Sequence, residues 1–392
     1  MKVFVTGIGV VSAIGLTVEE NYHSLLNKKS GITAFKFPEE QKSIQAGSIA
    51  KSNAELKQML SITNGNFSRT SLLGIIAAEQ AMGKNFHNKK LRTGFISSTS
   101  VGGMDKTEKY YRQVLKNLPV DFNLTRTHDS GNTSENIAAY LGFSGYINTL
   151  STACSSAANA IMLAARMIEQ GKMDRVLVGG TDPITDFTIK GFQSLMIYDD
   201  EWCKPFDHNR NGLNLGEGAG FLLLESDHSI NISGNEPICS LTGWHNAADA
   251  YHQTASSPDG KGATIAMKNA LKKAGLGPKE ISYINAHGTG TKNNDLSESI
   301  AIKNVFGESI PPFSSTKAYT GHTLAAAGAI EAVYSVLAIK NQIHFAGLNY
   351  NDPLEETLMH PVTEPTKAVT KHVMSNSFGF GGNNSSLIFS GI

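Results

Sequence analysis

Layered α/β structure is the fold class this 392-residue sequence predicts, and three observations predict it. Apolar runs of strand length alternate with helix-length segments almost from end to end. Glycines punctuate the strand-like runs, as in "KVFVTG" (2–7) and "DRVLVGG" (174–180). One helix-like segment, "AANAIMLAARMIEQG" (157–171), is apolar around most of its circumference, so it belongs between layers and not on a surface.

The elements follow in order. "MKVFVTGIGVVSAIGL" opens like a short secretory leader, but Gly7, Gly9 and Gly15 break the run, and Glu19 and Glu20 follow closely. It reads as a buried strand, a glycine turn and the start of a helix. "TSLLGIIAAEQAMG" (70–83) predicts a helix and "LRTGFIS" (91–97) a strand, whereas residues 102–130 read as a polar excursion from the core. Gly171 is the expected C-cap of the 157–171 helix. "GFLLLE" (220–225) is a strand, and "SDHSINISGNEP" (226–237) a polar, turn-rich connection between halves. Helices at 262–275 and 325–339 and strands at 281–287 and 385–390 complete the chain.

Composition narrows the function classes. With 40% hydrophobic and 17% charged residues the chain is globular, and its formal net charge of zero argues against binding nucleic acid through a general basic field. Three cysteines without a CxxC spacing fit a reducing compartment. No other stretch was expected to approach the ~20 apolar residues of a membrane span, so the expected location is the cytoplasm.

Two glycine signals lead nowhere. "VTGIGVVSAIG" approaches G-x-G-x-x-G with Ser12 in the third glycine's place, which favours a structural turn over a dinucleotide site. "HGTGTK" lacks the spacing of a phosphate loop.

Cys154 carries more. It follows "YINTLST" and precedes the buried helix, where unpaired N–H groups and the helix dipole lower a thiol's pKa below ~8.5. Small neighbours (Ala153, Ser155, Ser156, Ala157) leave room for a substrate carbonyl. A buried structural cysteine is the commoner fate, and alone the motif leaves the two readings balanced. Partners lie in the second half. His287 ends an apolar strand before a small-residue loop, and Lys317 and His322 precede an Ala-rich helix. Metal binding is disfavoured, because neither histidine lies in a ligand-spaced pattern. His208, His245 and His252 read as surface or loop residues. The turn in "SNSFGFGGNNSSLIFS" is either purely structural or offers a backbone N–H to an oxyanion.

Together these motifs resemble the β-ketoacyl-ACP synthases, in particular the elongating branch with a Cys-His-His site. The resemblance rests on "TACSSAANAI", "NAHGTGTKNNDLSE", "SSTKAYTGHTLAAAGAIE", "NSFGFGGNN", "KPFDHNRNGLNLGEGAGFLLLE" and "VFVTGIGVVSAIG", and covers essentially the whole chain in order. It implies a thiolase fold, a five-layered αβαβα sandwich of two similar halves (1–232 with the nucleophile, 233–392 with both histidines and the lysine), forming a homodimer. It implies acyl transfer from acyl carrier protein and decarboxylative extension with malonyl-ACP, with no metal or organic cofactor. Carried over by position, Cys154 is the nucleophile and His287 and His322 stabilise the enolate. Lys317 orients His287, and the N–H groups of Cys154 and Phe380 form the oxyanion hole. Glu298 anchors Lys317, Asp295 is structural or catalytic, Thr289 and Thr291 touch the pantetheine arm, and the Phe380 ring gates the acyl pocket.

Three departures stand out. Lys292 replaces the usual proline after "HGTGT", Asn383 turns "GGTN" into "GGNN", and "MIYDDEWCKPFD" is short. The first two are expected to alter the pantetheine channel. Lys204, with Lys292, is the expected docking point for the acidic carrier, and residues near 101–111 are expected to set chain length. The rival readings are a non-catalytic chain-length-factor-like subunit, which would lack the nucleophile, and a degradative thiolase, which needs a cysteine after Cys239, the last one here. The changes tilt the choice of pathway from fatty-acid elongation towards polyene or polyketide synthesis.

Overall fold

The computed structural model describes residues 1–37, 42–83 and 86–392. Its sheet has ten strands: β1 (Val3–Ser12), β2 (Thr93–Ser98), β3 (Tyr146–Leu150), β4 (Arg175–Asp182), β5 (Gly218–Ser226), β6 (Cys239–Ala248), β7 (Tyr283–Asn285), β8 (Phe313–Ser314), β9 (His372–Gly379) and β10 (Asn383–Ser390). The first five run in the order β3-β2-β4-β5-β1 and the second five in the order β8-β7-β9-β10-β6. In each set the first three strands are parallel and the next two pairings antiparallel. The same topology therefore occurs twice, and the pairs Phe4–Ser240 and Val5–Cys239 join the sets.

Helices Ser156–Glu169 and Ala327–Asn341 fill the layer between the two sets, touching strands of both. Helix Arg69–Ala81 covers the outer face of β1, β4 and β5, and Lys261–Ala274 covers that of β6 and β10. Helix, sheet, helix, sheet, helix is the thiolase fold. The alanines of the central helices allow close approach, since a Cβ on Gly328 would sit 2.9 Å from Ala158 N. The stretch Leu324–Asn341 is long and apolar enough to cross a membrane, but 89% of it is buried inside the protein, as a core helix is.

The structure corrects or refines three expectations. The expected glycine turn comes at Ser12–Gly15 and not at Gly7 or Gly9, because β1 continues through both, with a register shift against β5 between Val5 and Gly7. Those glycines admit the covering helix. A Cβ on Gly7 or Gly9 would lie 2.0 Å from the carbonyl oxygen of Ala81 or Ala77. Second, residues 102–130 leave the core as expected, and there they hold an amphipathic helix, Met104–Leu115, with none of its residues buried and Tyr111 and Leu115 exposed. Third, the connection after β5 is helical, Asp227–Ser233, capped by the Ser226 hydroxyl at one end and left-handed Gly234 at the other. Gly171 takes the left-handed position just past the 156–169 helix, as expected.

Candidate active site

Cys154 sits at the entry to the central helix. Ala153 before it has φ +53°, a left-handed conformation that costs a non-glycine residue about 1 kcal/mol or more. Ser156 Oγ accepts from Thr152 N–H at 2.8 Å and holds the turn. The sulfur faces a cavity of about 330 Å³ whose lining includes His287, His322, Thr289, Thr291, Lys292 and Phe380. The ligand atoms of Cys154, His287 and His322 lie within 4.8 Å of one another, and all three residues are buried. Three distant segments thus converge on one cavity.

Each imidazole has a fixed proton position. Leu324 N–H donates to His322 Nδ1 at 3.1 Å, and Lys317 Nζ lies 3.2 Å from His287 Nδ1. With both Nδ1 atoms accepting, the protons sit on the Nε2 atoms. His322 Nε2 is buried without a hydrogen-bond partner among the described residues. The rings cross at 85° with centroids 5.4 Å apart. Burial, and then the Lys317 charge, hold both imidazoles well below the usual histidine range, so both are neutral donors. The trio has the residue types of a metal site, but the ammonium behind His287 opposes a cation there.

The cysteine departs from expectation. Burial pushes its thiol up to about 11, against the opposing pull of the Phe380 N–H, the Lys317 charge and its own N–H. The helix does not reverse this, because its first N–H, on Ser156, is spent on Ala153 O at 3.1 Å. Burial thus favours the thiol over the thiolate expected from sequence.

Glu298 does not anchor Lys317. It accepts from the His287 and Gly288 N–H groups at 2.9 and 2.8 Å, and so holds the histidine's backbone, while burial raises its own pKa to about 7. The anchor is Glu331, whose Oε1 pairs with Lys317 Nζ, both side chains being at most 3% exposed. Lys317 also donates to His287 O at 2.5 Å. Sequence reading missed Glu331, although it is the only charged residue in the apolar stretch 324–339. Asp182 was missed too. It ends β4 and accepts from Ser100 N–H at 3.0 Å and from Ala325 N–H at 2.8 Å, tying the first half to the turn behind His322.

The remaining expected residues divide. Asp295 accepts from Thr289 N–H at 2.9 Å and Phe206 N–H at 2.8 Å, which makes it a loop organiser. Thr289 and Thr291 share a 2.9 Å hydrogen bond on the cavity wall. The Phe380 ring stacks on Phe192 at 5.6 Å, and Phe192 is a wall residue the sequence did not mark. Lys292 is on the wall, whereas Lys204 is off it, 3.7 Å from Glu201. Asn383 does not line the cavity, contrary to expectation; its side chain faces Ser155 and Asn159. Residues 101–111 are likewise off this wall, and Met104, Thr107 and Tyr111 line a separate groove with Phe187. His245 lies on β6, not in a loop.

Comparison with known proteins agrees with this geometry. Residues 1–229 match the β-ketoacyl synthase N-terminal domain and residues 238–351 the C-terminal domain. The chain is 34% identical to the 3-oxoacyl-[acyl-carrier-protein] synthase 2 of Staphylococcus aureus (strain MRSA252), over 99% of this chain and 98% of that protein. Among solved structures it resembles a chain of the ketosynthase ApeO in complex with its chain length factor ApeC from Xenorhabdus doucetiae (33% identity, TM-score 0.87, 100% and 98% covered). It also resembles a chain of a type II PKS acyl-carrier protein in complex with its ketosynthase bound to the hexaketide (27% identity, TM-score 0.90, 100% and 99% covered). On its sequence, its duplicated topology and its converging cysteine and histidines, the chain belongs to the β-ketoacyl synthase family.

Proposed function

We propose that the protein is a 3-oxoacyl-[acyl-carrier-protein] synthase that joins an acyl group on Cys154 to malonyl-ACP with loss of carbon dioxide. One observation carries the reading: a buried sulfur and two buried imidazoles line one cavity, with the sulfur and a ring nitrogen of each histidine within 4.8 Å of one another. Cys154 Sγ attacks the thioester carbonyl, and the C=O electron pair moves onto oxygen, held by the N–H groups of Cys154 and Phe380. Collapse expels the carrier's pantetheine sulfur, which leaves with the proton that Cys154 gave up. Neither imidazole takes that proton at Nε2, since each already carries one there.

Malonyl-ACP then enters along Thr289 and Thr291. Its C–C bond to the carboxylate breaks, carbon dioxide leaves, and the electrons move onto the thioester oxygen as an enolate. His287 and His322 donate to that oxygen, each donor lowering the barrier by about 3 kcal/mol. The enolate carbon attacks the acyl-enzyme carbonyl, the C–C bond forms as the bond from the acyl carbon to Cys154 Sγ breaks, and the thiolate so freed takes one proton from water to restore the thiol. These steps call for no metal or organic cofactor. Lys317 and Glu298 fix His287, and Asp295 fixes the loop.

Acyl carrier protein is the partner, with Lys204 and Lys292 as docking cations for its acidic surface. Lys204→Glu is expected to raise the KM for carrier-bound substrate several-fold at unchanged kcat, and an unchanged KM removes Lys204 from the interface. The division into 1–232 and 233–392 is supported by the repeated strand order. A homodimer is supported by β3, an edge strand with Tyr146 and Ile147 exposed. The cytoplasm remains the expected compartment, and polyene or polyketide synthesis the favoured pathway over housekeeping elongation. A chain-length-factor role is disfavoured because the cysteine, both histidines and the lysine are all in place. Mass spectrometry after mixing the protein with acyl-ACP should find the acyl group on Cys154, and malonyl-ACP should then yield the 3-oxoacyl product. An unmodified Cys154 refutes the reading.

A further inference from the structure

The turn that follows Phe380 is tied to the nucleophile's own helix through one side chain. Asn383 Oδ1 accepts from Ser155 Oγ at 2.7 Å, Asn159 Nδ2 at 2.8 Å and Asn246 Nδ2 at 2.6 Å. Three donors converging on one oxygen fix which way the amide faces. Ser155 directly follows Cys154, and Asn159 lies one helical turn further on and reaches back to Thr152 Oγ1 at 2.9 Å. Asn246, on β6, closes the network by reaching Asn159 Oδ1 at 3.1 Å and Ser385 Oγ at 2.9 Å.

Two N–H groups that pull on the Cys154 thiol come from opposite halves of the fold. One belongs to Cys154. The other belongs to Phe380, on a turn whose next residues, Gly381 and Gly382, have φ +78° and +71°. The turn has backbone ties of its own within the second half, since Gly381 N–H donates to Gln253 O at 2.7 Å and Gly382 O accepts from Asp249 N–H at 2.9 Å, and neither tie reaches the nucleophile's helix. Asn383, three residues after Phe380, bonds to the residue next to Cys154. Oxyanion donors act only within narrow distance limits, so the spacing of this pair decides how much they contribute.

We propose that Asn383 is a positioning residue for acyl transfer, holding the Phe380 N–H at the spacing from the Cys154 N–H that a tetrahedral oxyanion requires. The inference rests on Cys154 being the acyl acceptor. It accounts for the asparagine by its bonds across the two halves and not by contact with the pantetheine arm.

Two reactions of the same sulfur separate positioning from general structure. Acylation of the full-length protein by octanoyl-ACP builds an oxyanion. Alkylation by iodoacetamide displaces iodide at a saturated carbon and builds none. Asn383→Ala is expected to slow single-turnover acylation by about 10- to 100-fold, part of the loss that follows removal of an oxyanion donor, with alkylation unchanged. Asn383→Asp keeps an oxygen towards the three donors and is expected to retain most of the acylation rate. Equal losses in both reactions, wild-type acylation in Asn383→Ala, or an Asp variant as slow as the Ala variant would each overturn the proposal. Should Asn383→Ala fail to fold, Asn383→Ser carries the same comparison. A wild-type protein that takes no octanoyl group at all refutes the synthase reading, a result distinct from any of these.

Discussion

Replacing Glu331 by glutamine tests the buried ion pair behind the site. Lys317 and Glu331 are 2% and 3% exposed, and the ammonium's other contacts are the neutral Nδ1 and carbonyl oxygen of His287. Removing one member of a buried pair strands the other charge, at a cost of about 3–5 kcal/mol. Glutamine keeps the shape and one acceptor oxygen, so the lower figure, about 3 kcal/mol, is expected. The alternative open to the chain is for Lys317 to lose its proton. A neutral amine no longer obliges His287 Nδ1 to accept, the ring proton can move there, and Nε2 then ceases to donate. Either way decarboxylation suffers while the sulfur is untouched. Urea unfolding should fall by the amount stated, release of carbon dioxide from malonyl-ACP should drop at least tenfold, and alkylation of Cys154 should persist. Lys317→Met with Glu331→Leu removes both charges and should recover stability without recovering decarboxylation. A stability loss under about 1 kcal/mol with decarboxylation intact would refute the reasoning.

Other outcomes follow from single contacts. His322→Ala removes the unpartnered Nε2 donor and should lower decarboxylation by about 10²- to 10³-fold, with Cys154 still alkylated; loss of both would mean that the ring supports the fold. Gly9→Ala drives a Cβ to 2.0 Å from Ala77 O and should cost about 2–3 kcal/mol in unfolding. An unchanged midpoint would mean the covering helix shifts freely. The alkylation rate of Cys154 should keep rising towards pH 11, because burial lifts the thiol from 9.0 to about 11. The folded state then holds a proton that the unfolded state releases, so the thiol's contribution to stability, intact below pH 9, is lost between about 9 and 11. An inflection below pH 8 would show that the N–H donors and Lys317 outweigh burial.

Much of the fold was legible because periodicity and glycines report burial directly. The all-round apolar 157–171 segment could go only between sheets, and the structure puts it there, one residue earlier at its start. The opening misled because its glycines make room for a neighbouring helix, and room for a neighbour leaves the same letters as a turn. Cys154 and His287 were legible because each follows a strand and meets small residues, and Lys317 and His322 because they stand just before an Ala-rich helix. Glu331 was not, because its partner is set by a helix crossing that no local pattern records. Glu298 was assigned to Lys317 by resemblance, and the structure gives it the His287 and Gly288 N–H groups instead. Asn383 was marked as unusual, but its letters could not say that it faces Asn159 and Asn246 instead of the cavity.

The arrangement separates two kinds of negative charge. In the proposed reaction the acyl oxyanion meets backbone N–H groups and the enolate meets imidazole N–H groups, with the sulfur between them. An ammonium in direct reach of malonyl-ACP would bind its carboxylate in the ground state and so oppose the bond cleavage that catalysis needs. Lys317 is kept from doing so twice over, since Glu331 neutralises it and His287 stands between it and the cavity. Its field reaches substrate only through the His287 ring, as a fixed proton position and a depressed basicity. The buried acid is therefore part of the same device as the histidines. Without it the nearest full positive charge would favour the carboxylate that has to leave, and with it the two neutral donors favour the enolate that replaces it.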